Sequence, residues 1–191
     1  MNYLAVIIPF KGNLTVKFRL SLSVKTNTKK ELTIFTPSFI DSYRRIKRAP
    51  QIITRKDAAM IIAETGINKN SKAVDAGAGS GALACFLANI CKEVTTYEIR
   101  TDFLKIAKQN KEFLDLKNLK IKNKDIYKGI DEKNIDLITL DLPEPWKAIE
   151  PAKKSLKTGG FLVSYSPTVP QTMDFVNAIS KNKNLMHIKT V

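Results

Sequence analysis

A short apolar run, residues 72–76, leads into Asp75-Ala-Gly-Ala-Gly-Ser-Gly81, and a helical segment, residues 82–91, follows at once. Strand, glycine turn and helix in that order make the nucleotide-cradling unit of doubly wound α/β folds, so this feature restricts both the architecture and the kind of ligand. Gly77, Gly79 and Gly81 allow a sharp turn and a close backbone approach, and the helix presents its N-terminus to whatever lies there. The spacing departs from the dinucleotide fingerprint G-x-G-x-x-G, because the third glycine comes one residue early. Asp75 at the mouth of such a loop would repel a pyrophosphate. It suits a cationic ligand carrying an ammonium and a sulfonium, and S-adenosylmethionine is that ligand.

Further acids fall at strand ends. Residues 93–97 read as a β-branched strand ending at Glu98, which lies 21 residues past Gly77, where such folds place a carboxylate on ribose hydroxyls. A third strand, 119–123, is followed by Asp125, a candidate acceptor for an adenine amino group. A fourth, 134–140, delivers Asp141-Leu-Pro-Glu-Pro-Trp146 to the carboxyl edge of the sheet, where ligands bind in open α/β folds. Pro143 and Pro145 fix the backbone and donate no hydrogen bonds, which leaves carbonyls such as that of Leu142 free for a ligand. Asp141 on such a turn is placed to accept from an adenine amino group.

The 191 residues read as one domain with a small appendage. Strand-like segments 3–9, 14–24 and 31–35, separated by Lys11-Gly12-Asn13 and polar residues 25–30, predict an antiparallel β unit over residues 1–37. Residues 38–47 read as a helix or basic linker that Pro50 breaks, and 56–65 as a helix stopped by Gly66. From residue 71 strands and helices alternate, with helices over 82–91, 101–114, 146–156 and 170–179, and later strands over 160–164 and 185–191. The alternation predicts a doubly wound, mostly parallel sheet with helices on both faces, a Rossmann-like α/β fold over residues 38–191.

Net charge is +14, and the first 56 residues carry 12 Lys or Arg against only Glu31 and Asp41. Lys outnumbers Arg 26 to 6, so a lysine-rich composition would explain part of this. The run Arg44-Arg45-Ile-Lys47-Arg48 beside a nucleotide site suggests a polyanionic substrate instead, and nucleic acid is favoured. No stretch approaches membrane-spanning length, and the first apolar stretch is short with no basic leader, so the expected location is cytoplasmic. Cys85 and Cys91, in one predicted helix, do not share a face well enough to bridge. His187 is the sole histidine and is expected to be structural, with no metal site around it.

Taken together, Asp75-Ala-Gly-Ala-Gly-Ser-Gly-Ala82, Tyr97-Glu98-Ile-Arg100, Asn123-Lys-Asp125-Ile-Tyr127, Asp141-Leu-Pro-Glu-Pro-Trp146 and Tyr165-Ser-Pro-Thr168 with Gln171 resemble the tRNA (adenine-N1)-methyltransferase family of archaeal type. The upstream Arg48-Ala-Pro-Gln51 through Lys56-Asp57 is similar to the segment that packs over the cofactor in that family. The resemblance runs from Phe35 onward. It implies a class I enzyme that moves a methyl group from S-adenosylmethionine to N1 of an adenosine in the tRNA T loop. It places Gly77, Ala78, Gly79, Ser80 and Gly81 at the methionine end, Glu98 on the ribose, Asp125 with Ile126 at the adenine, Gln51 over the cofactor and Asp141 nearest the chemistry. It also implies a homo-oligomer, usually a tetramer.

Adenine N1 is hidden in base pairs, so the target base must be exposed or flipped, with Tyr165 or Trp146 to stack on it and Arg44, Arg45 and Arg48 on the RNA backbone. The family continues with a seventh strand and a Gly-His-containing tail, whereas this sequence stops after its expected sixth strand, and its N-terminal β unit is shorter. Two other functions compete. A non-catalytic RNA-binding subunit has no physical need to keep Gly77, Gly79, Gly81, Glu98 and Asp141. A methyltransferase acting on a small molecule or a protein has no use for the basic N-terminal quarter.

Overall fold

The computed structural model describes residues 2–10, 13–25, 27–34, 36–49 and 51–191. The predicted turn at Lys11 and Gly12, the strand end at Phe35 and the break at Pro50 lie outside the described residues. The chain divides into two compact units, Met1–Ser42 and Tyr43–Val191. In the first, β1 (Asn2–Phe10), β2 (Asn13–Lys25) and β3 (Glu31–Ile34) form an antiparallel sheet in that order, with Asn2 opposite Ser21 and Leu22 opposite Ile34. α1 (Phe39–Tyr43) starts where the Asp41 carboxylate accepts from the amide and hydroxyl of Ser38, a side-chain cap on an otherwise unsatisfied helix start.

The second unit is built on β4 (Lys72–Ala76), β5 (Glu93–Glu98), β6 (Leu119–Asn123), β7 (Ile135–Leu140) and β8 (Leu156–Ser164). They pair in the order β6-β5-β4-β7-β8 and every pair is parallel. The connections include α3 (Ala82–Ala88), α4 (Thr101–Phe113) and α5 (Ile149–Lys153); α2 (Arg55–Thr65) precedes the sheet and α6 (Val169–Ser180) follows it. Val74, Val94, Leu137, Ile138 and Leu140 are all fully buried, as central parallel strands covered on both faces must be. The chain enters at β4, runs out to β6 and returns to β7, so the topological switch point lies between β4 and β7.

Local chemistry sets several ends. Thr54 caps α2 by accepting from the amide of Asp57, and Gly66, at φ 64°, closes it by donating to the Ile62 carbonyl. The helix expected over 82–91 stops at Ala88, so Cys91 lies beyond it; both cysteines are buried and free, and burial pushes their thiols up to about 12 and about 11. The expected helix 146–156 is instead a 3-10 turn, Pro145–Ala148, followed by α5, which tolerates Pro151 because a first-turn residue needs no N–H partner. Leu156 already belongs to β8. There Ile135 pairs with Leu156 but Leu137 with Phe161, and a Cβ at Gly160 would lie 2.8 Å from the Ile135 carbonyl oxygen, so Gly159-Gly160 forms a bulge.

The strand expected over 185–191 is not formed. Met186, Ile188 and Val191 are 80%, 70% and 79% exposed, so the segment has no face to bury. Its described ties are the Leu185 amide on the Asn182 carbonyl and side-chain contacts of Lys189 with Glu64 and His187 with Thr190, and among the described residues no strand pairs with it. Among the described residues, no helix is long and apolar enough to cross a membrane.

Candidate active site

The glycine loop is held from below by β5. The amides of Gly77 and Ala78 both donate to the Tyr97 carbonyl, at 3.1 and 3.2 Å, and the Gly79 amide donates to Glu98 Oε2 at 2.9 Å. Each glycine does a different job. Gly77, at φ 83°, lies against the end of β7, where a Cβ would run into the Asp141 carbonyl. Gly81 lies against α4, and its Cβ would meet that of Ala107 at 3.1 Å, so the early third glycine serves helix–helix packing. Beside Gly79 the nearest atom to a Cβ would be the Gly77 carbonyl oxygen at 4.0 Å. That side of the loop is open, and a ligand can approach the backbone there.

Glu98, 7% exposed, also accepts from the amides of Ile99 and Arg100 at 2.9 Å each. Its carboxylate therefore gathers three backbone donors and ties the loop to the end of β5, and lone pairs remain for a further donor. Asp125 caps the 3-10 turn Ile126–Lys128 by accepting from the Tyr127 amide at 2.9 Å, which leaves its second oxygen uncommitted among the described contacts. Ile126 is 3% exposed and packs into the core with Val74, Tyr97 and Leu140, so the expected adenine contact cannot come from its side chain. Ser80 is buried, and its hydroxyl has no partner among the described residues. Gln51 is exposed upstream of α2.

The sequence places Asp75 at the mouth of the loop, and the structure corrects this. Register sets Asp75 opposite Thr96 of β5 and Thr139 of β7, so the three side chains form one row across the sheet. Both carboxylate oxygens accept from the threonine hydroxyls, at 2.7 and 2.9 Å, and the residue is 2% exposed. Burial, only partly offset by the two hydroxyls and aided by the charges of Asp141 and Glu98, pushes its carboxyl up to about 6. With both oxygens held by the threonines, the Asp75 carboxylate does not reach the mouth of the loop.

This burial has a sign that can be tested. Between about pH 4 and 6 the native state keeps a proton that the unfolded chain, at the ordinary aspartate value, has released. Stability therefore falls as pH rises through that window, and above it the full cost remains, about 1–3 kcal/mol for a shift of this size. Asp75→Asn keeps the hydrogen-bonded row, because its amide can donate to the Thr139 hydroxyl. It is expected to raise unfolding free energy by that amount at pH 7 and to flatten the slope between pH 4 and 6, read by urea denaturation at several pH values.

At the end of β7 the Asp141 amide donates to the Ala76 carbonyl at 2.9 Å, so the residue begins its turn directly beside the glycine loop. Its side chain is exposed, yet the surrounding protein desolvates the carboxyl and raises it above the usual aspartate range. The carbonyls of Leu142 and Pro143, expected to stay free for a ligand, are taken by Gln171 of α6, whose Nε2 donates to both at 2.8 and 2.9 Å. Gln171 fixes the proline turn that carries Asp141. Removing both bonds in Gln171→Ala is expected to cost about 1–2 kcal/mol of stability, measured by thermal melting.

Tyr165 leaves the end of β8 with its amide on the Leu140 carbonyl at 2.9 Å. Burial, then the charges of Asp57 and Asp141 and a hydrogen bond to Asp57, raise its hydroxyl above the ordinary phenol value. Asp141, Tyr165 and Asp57 of α2 therefore lie together, and 36% exposure leaves the Tyr165 ring open to a base. Trp146 is elsewhere. It is half-buried in a groove with Asp174, Asn177 and Ala178 of α6 and Lys181 just beyond it, and none of the site acids lines that groove, so the expected stacking role at the site is not supported by its position.

Arg44, Arg45 and Arg48 are all exposed, just before the segment leading to α2. Sequence reasoning missed the residue that fastens them. Asn110 of α4, 1% exposed, accepts from the Lys47 amide and donates to the Lys47 and Ser80 carbonyls, at 2.8, 2.7 and 2.8 Å. The signal was present as a polar residue in register with Leu104 and Ala107 on the buried face of a helix.

A parallel sheet in this order, with a glycine loop on the switch-point strand and acids at successive strand ends, defines a class I S-adenosylmethionine-dependent methyltransferase fold. The chain belongs to the family described as the tRNA methyltransferase complex GCD14 subunit, which matches residues 43–191. It is 34% identical over 175 residues to the tRNA (adenine(57)-N(1)/adenine(58)-N(1))-methyltransferase TrmI of Methanocaldococcus jannaschii, covering 76% of this chain and 62% of that one. Among solved structures it superposes on an S-adenosylmethionine-dependent O-methyltransferase from Thermotoga maritima with TM-score 0.74 and 32% identity, covering 84% of this chain and 62% of the other. The tRNA (m1A58) methyltransferase TrmI of Aquifex aeolicus gives TM-score 0.72 and 27% identity, covering 93% and 80%. The chain thus spans less than two thirds of the Methanocaldococcus relative.

Proposed function

We propose that this chain transfers the methyl group of S-adenosylmethionine to N1 of an adenosine in the T loop of tRNA, in the cytoplasm and as a homo-oligomer. The observation that carries the reading is the position of Asp141, exposed at the switch point against Gly77 and next to Tyr165, in a chain whose relatives are described as tRNA (adenine-N1)-methyltransferases. The residues present fit the cofactor. The loop is open at Gly79, the Ser80 hydroxyl has no partner among the described residues, and Asp75 puts a buried negative charge beneath the loop, which favours a cation. Gly77, Ala78, Gly79, Ser80 and Gly81 would hold the methionine end, Glu98 the ribose, and Asp125 with the Ile126 backbone the adenine, with Gln51 over it. When bound, the cofactor supplies an electrophilic methyl on a sulfonium.

The protein's own part is placement and charge. Neutral adenine N1 has an in-plane lone pair, so the chief need is to hold the base in line, which Tyr165 does by stacking. The ring becomes cationic as N1 is alkylated, and the Asp141 carboxylate at its amino group stabilises that charge. Arg44, Arg45 and Arg48 hold the RNA backbone, which a small-molecule acceptor would not require. The test is transfer of labelled methyl groups to a tRNA transcript and to the same transcript with its T-loop adenosines replaced by guanosine. The proposal expects the second to stay unlabelled; equal labelling of both would refute it.

A further inference from the structure

We infer that the tRNA-binding surface continues from the basic segment onto α4, so that Arg44, Arg45, Lys47, Arg48, Lys105 and Lys108 make one phosphate-binding track whose position is fixed by Asn110. The inference rests on the tRNA reading above and adds the surface that holds the substrate. Lys47 Nζ donates to Gln109 Oε1 of α4 at 2.8 Å, and Lys105 lies one helical turn from Gln109, with Lys108 between them in sequence. All six cationic residues are exposed. Several lysines elsewhere on this unit are neutralised, as Lys120 is by Glu93, Lys122 by Glu132, Lys124 by Asp131 and Lys157 by Asp136, whereas Lys69 and Lys92, like the track, form no ion pair among the described residues but lie apart from it in sequence, at the amino ends of β4 and β5. Among the described residues, none of the six in the track forms an ion pair. Unneutralised charge gathered along one path is what a nucleic-acid backbone requires.

The path is also held rigidly. Asn110 grips the Lys47 backbone at both its N–H and its carbonyl, as a neighbouring strand would, and its remaining N–H holds the Ser80 carbonyl in the glycine loop. Tyr43, at the start of the segment, donates to the Ala82 carbonyl at 3.1 Å and meets Phe86 edge-on. The track is therefore fastened to the same loop that flanks the proposed methyl-transfer site, and Asn110 is its positioning residue.

The test is filter binding of unmodified tRNA over a salt series, using the full chain. The variant Lys105→Glu with Lys108→Glu changes only exposed side chains. It is expected to weaken tRNA binding about tenfold or more at low salt and to flatten the log–log salt dependence by about two, one per phosphate contact, with S-adenosylmethionine affinity unchanged. The control Lys69→Glu with Lys92→Glu, exposed at the amino ends of β4 and β5, has the same net charge and is expected to leave the slope as it is. Asn110→Ser alters no charge; in its background Arg45→Gln is expected to weaken tRNA binding less than it does in the parent, a difference that lost stability alone would not produce. An unchanged slope in the α4 variant, or an equal loss in the control, would overturn the track. Methyl transfer with the track disproved leaves the enzymatic reading standing; track-dependent tRNA binding without methyl transfer upholds the track and removes that reading.

Discussion

Gly77→Ala is expected to damage the protein more than any other single methyl group added in the glycine loop. A Cβ there would stand 3.0 Å from the Asp141 carbonyl carbon and closer still to its oxygen, at a backbone φ of 83° that side chains rarely adopt. The left-handed backbone costs about 1–2 kcal/mol and the overpacking about 1–3 more, so stability should fall by about 2–5 kcal/mol. The strain can be relieved only by moving the loop or Asp141, so S-adenosylmethionine affinity or methyl-transfer rate should drop about 100-fold. Gly79→Ala makes the contrast, since its Cβ meets nothing closer than 4.0 Å and carries only the φ cost, about 1 kcal/mol. Thermal melting and calorimetric titration of the cofactor on both variants separate the two; equal effects would mean that Gly77 is not the point of contact between the loop and β7.

Asp141→Ala is expected to lower the rate of methyl transfer about 10²- to 10³-fold while leaving cofactor affinity within a few-fold, because the proposed mechanism uses the carboxylate where charge develops and not where the cofactor is held. Desolvation raises its carboxyl above the ordinary aspartate range, and the proposed role requires the ionised form. Activity should therefore rise with pH along an acid limb that Asp141→Asn removes. A rate unchanged in Asp141→Ala would transfer the role to another group.

The order of elements was legible because β-branched apolar runs alternate with helical spacing, and the glycine loop, Glu98, Asp125 and Asp141 all fall at the carboxyl ends of strands as read. What was not legible depends on register or on distant partners. Asp75 sits in a strand buried on both faces, so local pattern does not say whether its side chain points to the loop or into the sheet; the facing Thr96 and Thr139 decide it. The Leu142 carbonyl looked free because the residue that binds it, Gln171, is 29 positions away. Residues 185–191 have strand-like composition, but a strand needs a neighbour, and composition carries no information on that. Asn110 is hidden for a related reason: one polar residue on an otherwise apolar helix face leaves the helical pattern intact, and the backbone groups it holds, on Lys47 and Ser80, are 63 and 30 positions away.

The measurement that bears most directly on the whole account is transfer of a labelled methyl group from S-adenosylmethionine to unmodified tRNA, followed by nucleoside analysis. The account predicts label in N1-methyladenosine, reduced at least about 100-fold with Asp141→Ala. S-adenosylmethionine binding with no labelled tRNA, or label in any other nucleoside, would contradict it.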